Sequence, residues 1–417
     1  MKRREEVGRG HGLGRRARVA AVAAAVLAAA PAVGAAGCAS EHCPTGTGPA
    51  ICHVERVVPS DALRSAVEPM TSNNNLDLVE HDGRLFFAFR TAPSHFASAQ
   101  TELHVVSAAR EGEWEDELTV TMGTDLREPR LLSWNGQLFL YFAVLGVNPL
   151  DFEPMGMMAA RRIGRGDWTA PEWFYEPGFI PWRAKVVDGV PYLIAYVGGE
   201  NIYDIDGEPV EVRWLTTQDG LTWEPVVPGQ AAVHVGGSSE TDFVLLDDGS
   251  LVAVMRNEAG EASGWGSNIC RAAADSLGDW TCVNDPKKYD SPLLFRHGAE
   301  VWLIARRNVT ETGYYDLMLP LSPGDATLQN LIDYSSRPKR CALWRVDPEK
   351  LAVTWELDLP SYGDTCFASA VPLSDDDFLV YNYSSDLEAV RDTDPSWFEA
   401  QYEPTNIYRF VLSFPKD

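Results

Sequence analysis

Ser238-Ser239-Glu240-Thr241-Asp242-Phe243-Val244-Leu245-Leu246-Asp247-Asp248-Gly249-Ser250-Leu251-Val252-Ala253-Val254-Met255-Arg256-Asn257-Glu258-Ala259-Gly260 decides how the rest of the chain is read. Two apolar runs, Phe243 to Leu246 and Leu251 to Met255, flank Asp248-Gly249, a dipeptide suited to a tight hairpin turn with positive φ. Both runs are rich in residues that favour strands. In an antiparallel pair the start of the first strand lies beside the end of the second. Glu240 and Arg256 are therefore expected to meet at the hairpin edge away from the turn, a carboxylate beside a guanidinium.

The same hairpin recurs along the chain. Turns are read at Asp82-Gly83, Asn135-Gly136, Asp188-Gly189, Asp248-Gly249, His297-Gly298 and Asp375 to Asp377. A third strand and a closing tryptophan follow in five units: Trp114, Trp168, Trp223, Trp280 and Trp355. The sixth unit ends instead in the strand Ile407 to Phe414. A repeat of this length with three or four strands is a propeller blade. One blade exposes two faces and buries its core only against neighbours. The expected fold is all-β, a six-bladed β-propeller over residues 71–417, its ring closed by a strand from near residue 55. A long sandwich would show similar hairpins, but the regular return of turn and tryptophan argues against it.

The length of 417 residues allows a large core. Thirteen Trp, 34 Gly and 27 Pro suit short strands and turns better than helices. The first 37 residues carry seven bases and two acids, so the formal charge of -25 becomes -30 without them. Such a surface excludes nucleic acid as a partner and repels anionic ligands unless arginines gather locally.

Residues 1–37 read as a lipoprotein signal peptide: a basic start, an Ala/Val/Leu run over 19–33, then Ala35-Ala36-Gly37-Cys38. The last four resemble a lipobox, which implies lipid attachment at Cys38. An ordinary cleaved signal leaving Cys38 free is the alternative. Ala39 after Cys38 points to the outer rather than the inner membrane. No other apolar run is long enough to span a bilayer, so membrane contact is expected through the anchor alone. Residues 38–70 read as a tether, with a strand at its end over 53–58.

Six cysteines remain once Cys38 is set aside. An even number in an exported chain points to disulfides. Six cysteines allow fifteen pairings, and sequence order suggests three local ones: Cys43–Cys52, Cys270–Cys282 and Cys341–Cys366. Their spacing suits no metal, and neither metal nor cofactor is expected. Asp204-Ile205-Asp206-Gly207-Glu208 has spaced oxygen ligands but lacks an EF-hand length, and is read as a solvated turn rather than a Ca²⁺ site.

Thr217-Gln218-Asp219-Gly220-Leu221-Thr222-Trp223 closely matches the Asp box, Ser/Thr-x-Asp-Gly-x-Thr-Trp, with eroded copies ending at Trp114, Trp168 and Trp280. With the Glu240 to Arg256 hairpin, Phe89-Arg90-Thr91-Ala92-Pro93, Asp125 to Leu131, Trp182-Arg183, and Gly363-Asp364-Thr365 leading to Tyr381-Asn382-Tyr383, residues 72–414 resemble the sialidase superfamily. The likeness is closest to its uncharacterised bacterial members. The resemblance implies a substrate carboxylate held by three arginines, a Glu activating a Tyr nucleophile, and an Asp as acid/base. Glu240 and Arg256 match their positions in that pattern. The Arg-Ile-Pro expected at the first blade is missing, with Arg90 as a neighbouring substitute. The Tyr expected to open the sixth blade is replaced by Asp364-Thr365-Cys366, with Tyr362 and Tyr383 nearby.

The site is also read without the family. In every blade the start of the innermost strand and the end of the second share one face near the axis. Those positions hold Asp77 and Arg90; Arg127, Glu128 and Arg130; Arg183 and Glu200; Glu240 and Arg256; Asp290 with Arg306 and Arg307; and Asp364, Asn382 and Tyr383. His95 stands just beyond, and a lone loop histidine is read as neither catalyst nor ligand. Strand alternation sends only one of Arg306 and Arg307 to the axis; Arg307 is preferred. The candidate catalytic groups are Glu240, Asp364 and Tyr383. The candidate binders are Arg90, Arg127, Arg183, Arg256 and Arg307, since clustered arginines recognise carboxylate, sulfate or phosphate. Ordinary ion pairs between blades would use the same residue types.

Three functions are weighed. One is a lipid-anchored glycoside hydrolase acting on glycans as a monomer. The second is a catalytically silent propeller that binds a glycan, another small anion or a protein at the same mouth. The third is a five-bladed furanosidase-like enzyme using Asp77, Glu128 and Glu240, suggested by Arg127-Glu128-Pro129-Arg130-Leu131.

Overall fold

The computed structural model describes residues 42–109, 112–203, 207–389 and 393–416. Cys38, the segment before it, and Asp204 and Asp206 lie outside these residues. Ser238–Leu245 pairs antiparallel with Leu251–Glu261 as read from the sequence, and the turn between them is clamped by Asp248, which accepts from the Ser250 amide at 2.9 Å and its hydroxyl at 2.6 Å. Asp82-Gly83, Asn135-Gly136 and Asp188-Gly189 each form a two-residue turn with both residues at positive φ, the geometry that a right-twisted hairpin requires.

The strands fall into six antiparallel sets that follow the six sequence units. The innermost strands are Ser72–His81, Asp125–Trp134, Ile180–Val187, Ser238–Leu245, Asp290–His297 and Ser369–Pro372. The first and last sets are joined into one sheet by a single parallel bridge, Ser72 to Thr405. Neighbouring sets pack face to face. Phe86 and Val105 of the first lie in one buried cluster with Leu131 and Phe142 of the second; Val252 and Ile269 of the fourth meet Leu303 and Trp344 of the fifth. Inner strands of successive sets also lie against one another. The result is an all-β propeller in which each apolar face is covered by the next set.

The outermost strand of the last set is Ala50–Val58, paired antiparallel with Thr405–Ser413. This is the closing strand expected near residue 55. It corrects the tether over 38–70: Cys43 and Leu63 are fully buried, and the short helix α1 (Asp61–Arg64) is capped by Ser60. Residues 43–70 are part of the fold because a terminal strand completes the sheet edge that would otherwise stay unpaired.

The three disulfides join Cys43 to Cys52, Cys270 to Cys282 and Cys341 to Cys366, the pairs suggested by sequence order. The turn at Thr217 to Trp223 is held by Asp219, whose carboxylate accepts from the Leu221 amide (2.8 Å), the Thr222 amide (2.6 Å) and the Thr222 hydroxyl (2.9 Å). Those amides pull the Asp219 carboxyl down to about 2. Gly220 sits at φ 77° with the Phe139 ring 2.3 Å from where a Cβ would stand, so glycine is required there. Trp223 is buried, but Trp355 is half exposed and does not close its unit as the repeat predicts.

Two further helices interrupt the strands. α2 (Pro323–Ser335) lies between the second and third strands of the fifth set, and α3 (Trp397–Ala400) precedes the third strand of the sixth. Among the described residues no helix is long and apolar enough to cross a membrane.

Candidate functional site

The inner strands do not run straight through the centre. Pairing with the second strand slips at one place in each of the first five sets: between Asn74 and Leu76, Arg127 and Arg130, Pro181 and Arg183, Ser238 and Thr241, and Asp290 and Leu293. These are bulges, which bend a strand and re-aim a side chain. Asn75, Glu128 and Ser291 take positive φ there, and Pro129 and Pro292 follow where no ladder donor is needed. The bulges deliver Asn75, Glu128, Glu240 and Ser291 to one cleft of about 140 Å³. Arg127, Arg256, Arg306, Tyr383, His95 and Trp397 complete its polar wall.

One side of the cleft is built around Asp364, which is fully buried. Its Oδ1 accepts from the Tyr383 hydroxyl at 3.0 Å and from the Trp397 indole at 3.0 Å; Oδ2 lies 2.6 Å from His95 Nδ1. Burial alone would raise this carboxyl. The charge and hydrogen bond of His95, with Arg306 and Trp397, bring it below the ordinary carboxylate range instead. The Tyr383 phenol moves the other way, pushed well above its usual value by burial and by Asp364. Arg306 donates to the Tyr383 oxygen at 3.3 Å, pairs with Asp290 at 2.9 Å and lies over the Trp397 ring at 4.7 Å.

The other side carries two carboxyls. Glu240 pairs with Arg256 at 2.8 Å and accepts from the Ser291 amide at 2.7 Å. Burial raises it, Asp290 adds to the rise, and Arg256 opposes it. Burial also pushes Glu128 up to about 7, with Glu240 adding to the rise and Arg130 opposing it. Glu128 takes one hydrogen bond, from Asn75 at 3.1 Å, and its Oε2 accepts none.

Glu240, Tyr383, Arg127 and Arg256 thus line one cleft, and Asp364 stands behind Tyr383. Three expected binders do not reach it. Arg90 is wholly buried and tied to Asp125 at 2.8 Å, and Arg183 is buried against Asp242 and the Pro292 carbonyl. Arg307 points to the opposite face, where Asp358 holds it at 2.6 and 2.8 Å. Arg306 takes the cleft position in its place. Asp77 is a strand clamp, accepting from the Leu131 amide and the Ser369 hydroxyl, and Glu200 is exposed. His95 was set aside as a lone loop histidine, and Trp397 was missed because it reaches the cleft from the first turn of the short helix α3, which no repeat signal marks. The only sequence signal was that His95 follows closely on Arg90.

A larger hollow of about 380 Å³ lies between residues 310–318 and the end of α2. It gathers no paired carboxyls, and its one arginine, Arg337, is tied to Asp333 at 2.6 Å. Among the described residues no group of His, Cys, Asp and Glu is arranged to hold a metal ion.

No family model matches the chain, and no curated protein does. Solved structures do. A protein of unknown function from Dyadobacter fermentans is similar over 88% of this chain and 100% of its own, with a TM-score of 0.58 at 13% identity. Trypanosoma rangeli sialidase in complex with the inhibitor DANA is similar over 82% of this chain, with a TM-score of 0.54 at 12% identity. The matched part is 55% of the sialidase chain. Phage phi92 endosialidase matches 89% of this chain and 70% of its own, with a TM-score of 0.53 at 10% identity. The fold is that of the sialidase-like propellers.

Proposed function

We propose that this protein is an exported six-bladed propeller, anchored by lipid at Cys38 to the outer membrane, that hydrolyses a terminal acidic sugar from a glycan. The observation that carries this reading is the pairing of Tyr383 with Asp364 on the same cleft as Glu128, Glu240 and three arginines. The cleft is smaller than the ~300–1,000 Å³ of typical ligand sites, which suits one ring at a chain end. Arg127, Arg256 and Arg306 supply the positive charge for an acidic substituent, which the acidic surface would otherwise repel.

In the first step Tyr383 Oη bonds to the anomeric carbon while its proton passes to Asp364. The bond to the leaving oxygen breaks, and that oxygen takes the proton held by Glu128. Water then attacks the anomeric carbon and gives a proton to Glu128; the bond from that carbon to the Tyr383 oxygen breaks, and Asp364 returns its proton to the tyrosine oxygen. Every group ends as it began. A carboxyl with a pKa near 7 suits a proton donor at neutral pH. Burial keeps Glu128 protonated, and Glu240 adds to this through like-charge repulsion while orienting Arg256.

A binding-only reading draws on a specific observation: the cleft arginines already have carboxylate partners, Arg127 with Asp125, Arg256 with Glu240 and Arg306 with Asp290. The furanosidase-like reading needs five blades, and the six turn-bearing units of the sequence favour six. The deciding experiment is turnover of a panel of 4-methylumbelliferyl glycosides carrying acidic and neutral sugars. Wild type is expected to release fluorophore from an acidic sugar, with Tyr383→Phe and Glu128→Gln slowed at least ~100-fold and Glu240→Gln also impaired. Binding of an acidic glycan without turnover by wild type would overturn the enzyme reading in favour of the silent one.

A further inference from the structure

Beneath the cleft two arginines are buried with donors to spare. Arg130 is fully buried between the rings of Trp182, at 5.1 Å, and Phe367, at 4.6 Å. None of its three guanidinium nitrogens has a hydrogen-bond acceptor among the described residues. Its one ion pair among the described residues is loose, 3.6 Å to Glu128. Arg183, 3% exposed, gives one bond to the Pro292 carbonyl; its Nε stands in a loose ion pair 3.5 Å from Asp242, and neither Nε nor Nη1 has a hydrogen-bond acceptor among the described residues. A buried donor left unmet is costly, more so on a charged group, so five such nitrogens on two neighbouring side chains call for an acceptor between them.

The local charge points the same way. Arg130, Arg183 and Lys185 face Asp77, Asp242 and Glu128. Asp242 is taken up by Lys185 at 2.6 Å and the Leu294 amide at 2.7 Å, and Asp77 by Leu131 and Ser369. With Glu128 protonated, three cations stand against two anions, and of the three only Lys185, with a fifth of its side chain exposed, reaches solvent. A buried surplus of one positive charge is costly. A small monovalent anion offsets it and accepts from several N–H groups at once. Water would meet the donors and leave the charge.

We infer that Arg130 and Arg183 bind a halide-sized anion, chloride in solution, on the inner side of the cleft floor. The site is distinct from the sugar cleft and does not depend on catalysis. Two measurements on the full wild-type chain test it. Crystals grown with sodium bromide should show an anomalous peak within hydrogen-bond reach of both guanidinium groups. Replacing sodium gluconate with sodium chloride at constant ionic strength should raise the melting temperature by about 1–2 °C, as expected for ligand near ten times its Kd. Arg130→Met should lose that increment; where this variant does not fold, the bromide crystals of wild type decide. A fully occupied water with no anomalous signal overturns the inference. So do equal melting temperatures in the two salts, or a chloride effect with the halide peak elsewhere.

Discussion

At the scale of single residues, the cleft rests on which way each side chain points. Arg306 and Arg307 are adjacent in sequence, and strand alternation lets one of them enter. Chemistry does not choose between two identical side chains, and only the register of Glu300–Asn308 sends Arg306 inward. Glu128 shows the cost of such a place. Its side chain is mostly buried, 12% exposed, and its carboxyl is held at about 7, against 4.5 in the unfolded chain. Between those values the unfolded chain has already lost the proton while the native state keeps it. Native protein then binds more protons, so stability falls as pH rises from 4.5 to 7 and stays lowered above. A shift of this size is worth on the order of 3 kcal/mol. Glu128→Gln is therefore expected to melt higher than wild type at pH 8 and level with it at pH 4.5, measured by calorimetry. A variant that melts lower at pH 8 would mean that the carboxylate stabilises the fold.

At the scale of elements, the hairpins were legible and the bulges were not. Asp82-Gly83, Asn135-Gly136 and Asp188-Gly189 carry their turn type in two letters. A bulge has no such signature. Pro129, Pro181 and Pro292 mark three of the five, but Asn75 and Glu240 leave the ladder with ordinary neighbours. That gap explains why Arg90 and Arg183 were expected in the cleft: a bulge shifts which residue faces inward, and both arginines end behind the wall. The disulfides divide by what they hold. Cys270–Cys282 bridges neighbouring outer strands of the fourth set. Cys341–Cys366 ties the fifth set to the segment bearing Asp364, whose Thr365 and Cys366 carbonyls accept from Arg306. Cys341→Ala with Cys366→Ala should cost about 2–4 kcal/mol of stability and remove most turnover. The matching change at Cys270 and Cys282 should cost stability alone. Equal loss of turnover in both would mean that the Asp364 segment is positioned without its disulfide.

At the scale of the whole molecule, repetition made the fold readable. Six turn-bearing units without long helical patterns leave radial packing as the way to cover both faces of every sheet. The closing strand could be expected because the sixth unit lacked its closing tryptophan. The segment 43–70 was misjudged as a tether because Pro, Gly and Thr mask a strand whose partner lies at the far end of the chain, where Ala50 meets Ser413. The His95 and Trp397 contacts to Asp364 join residues 269 and 33 positions apart, and no local pattern reports them. The central claim is that the bulged inner strands create one ligand site on the cleft. Crystals of Tyr383→Phe soaked with N-acetylneuraminic acid test it most directly. The account predicts density for the sugar in the cleft, its carboxylate within hydrogen-bond reach of Arg127, Arg256 or Arg306 and its anomeric carbon facing residue 383. An empty cleft, or the sugar seated in the hollow beside α2, would contradict it.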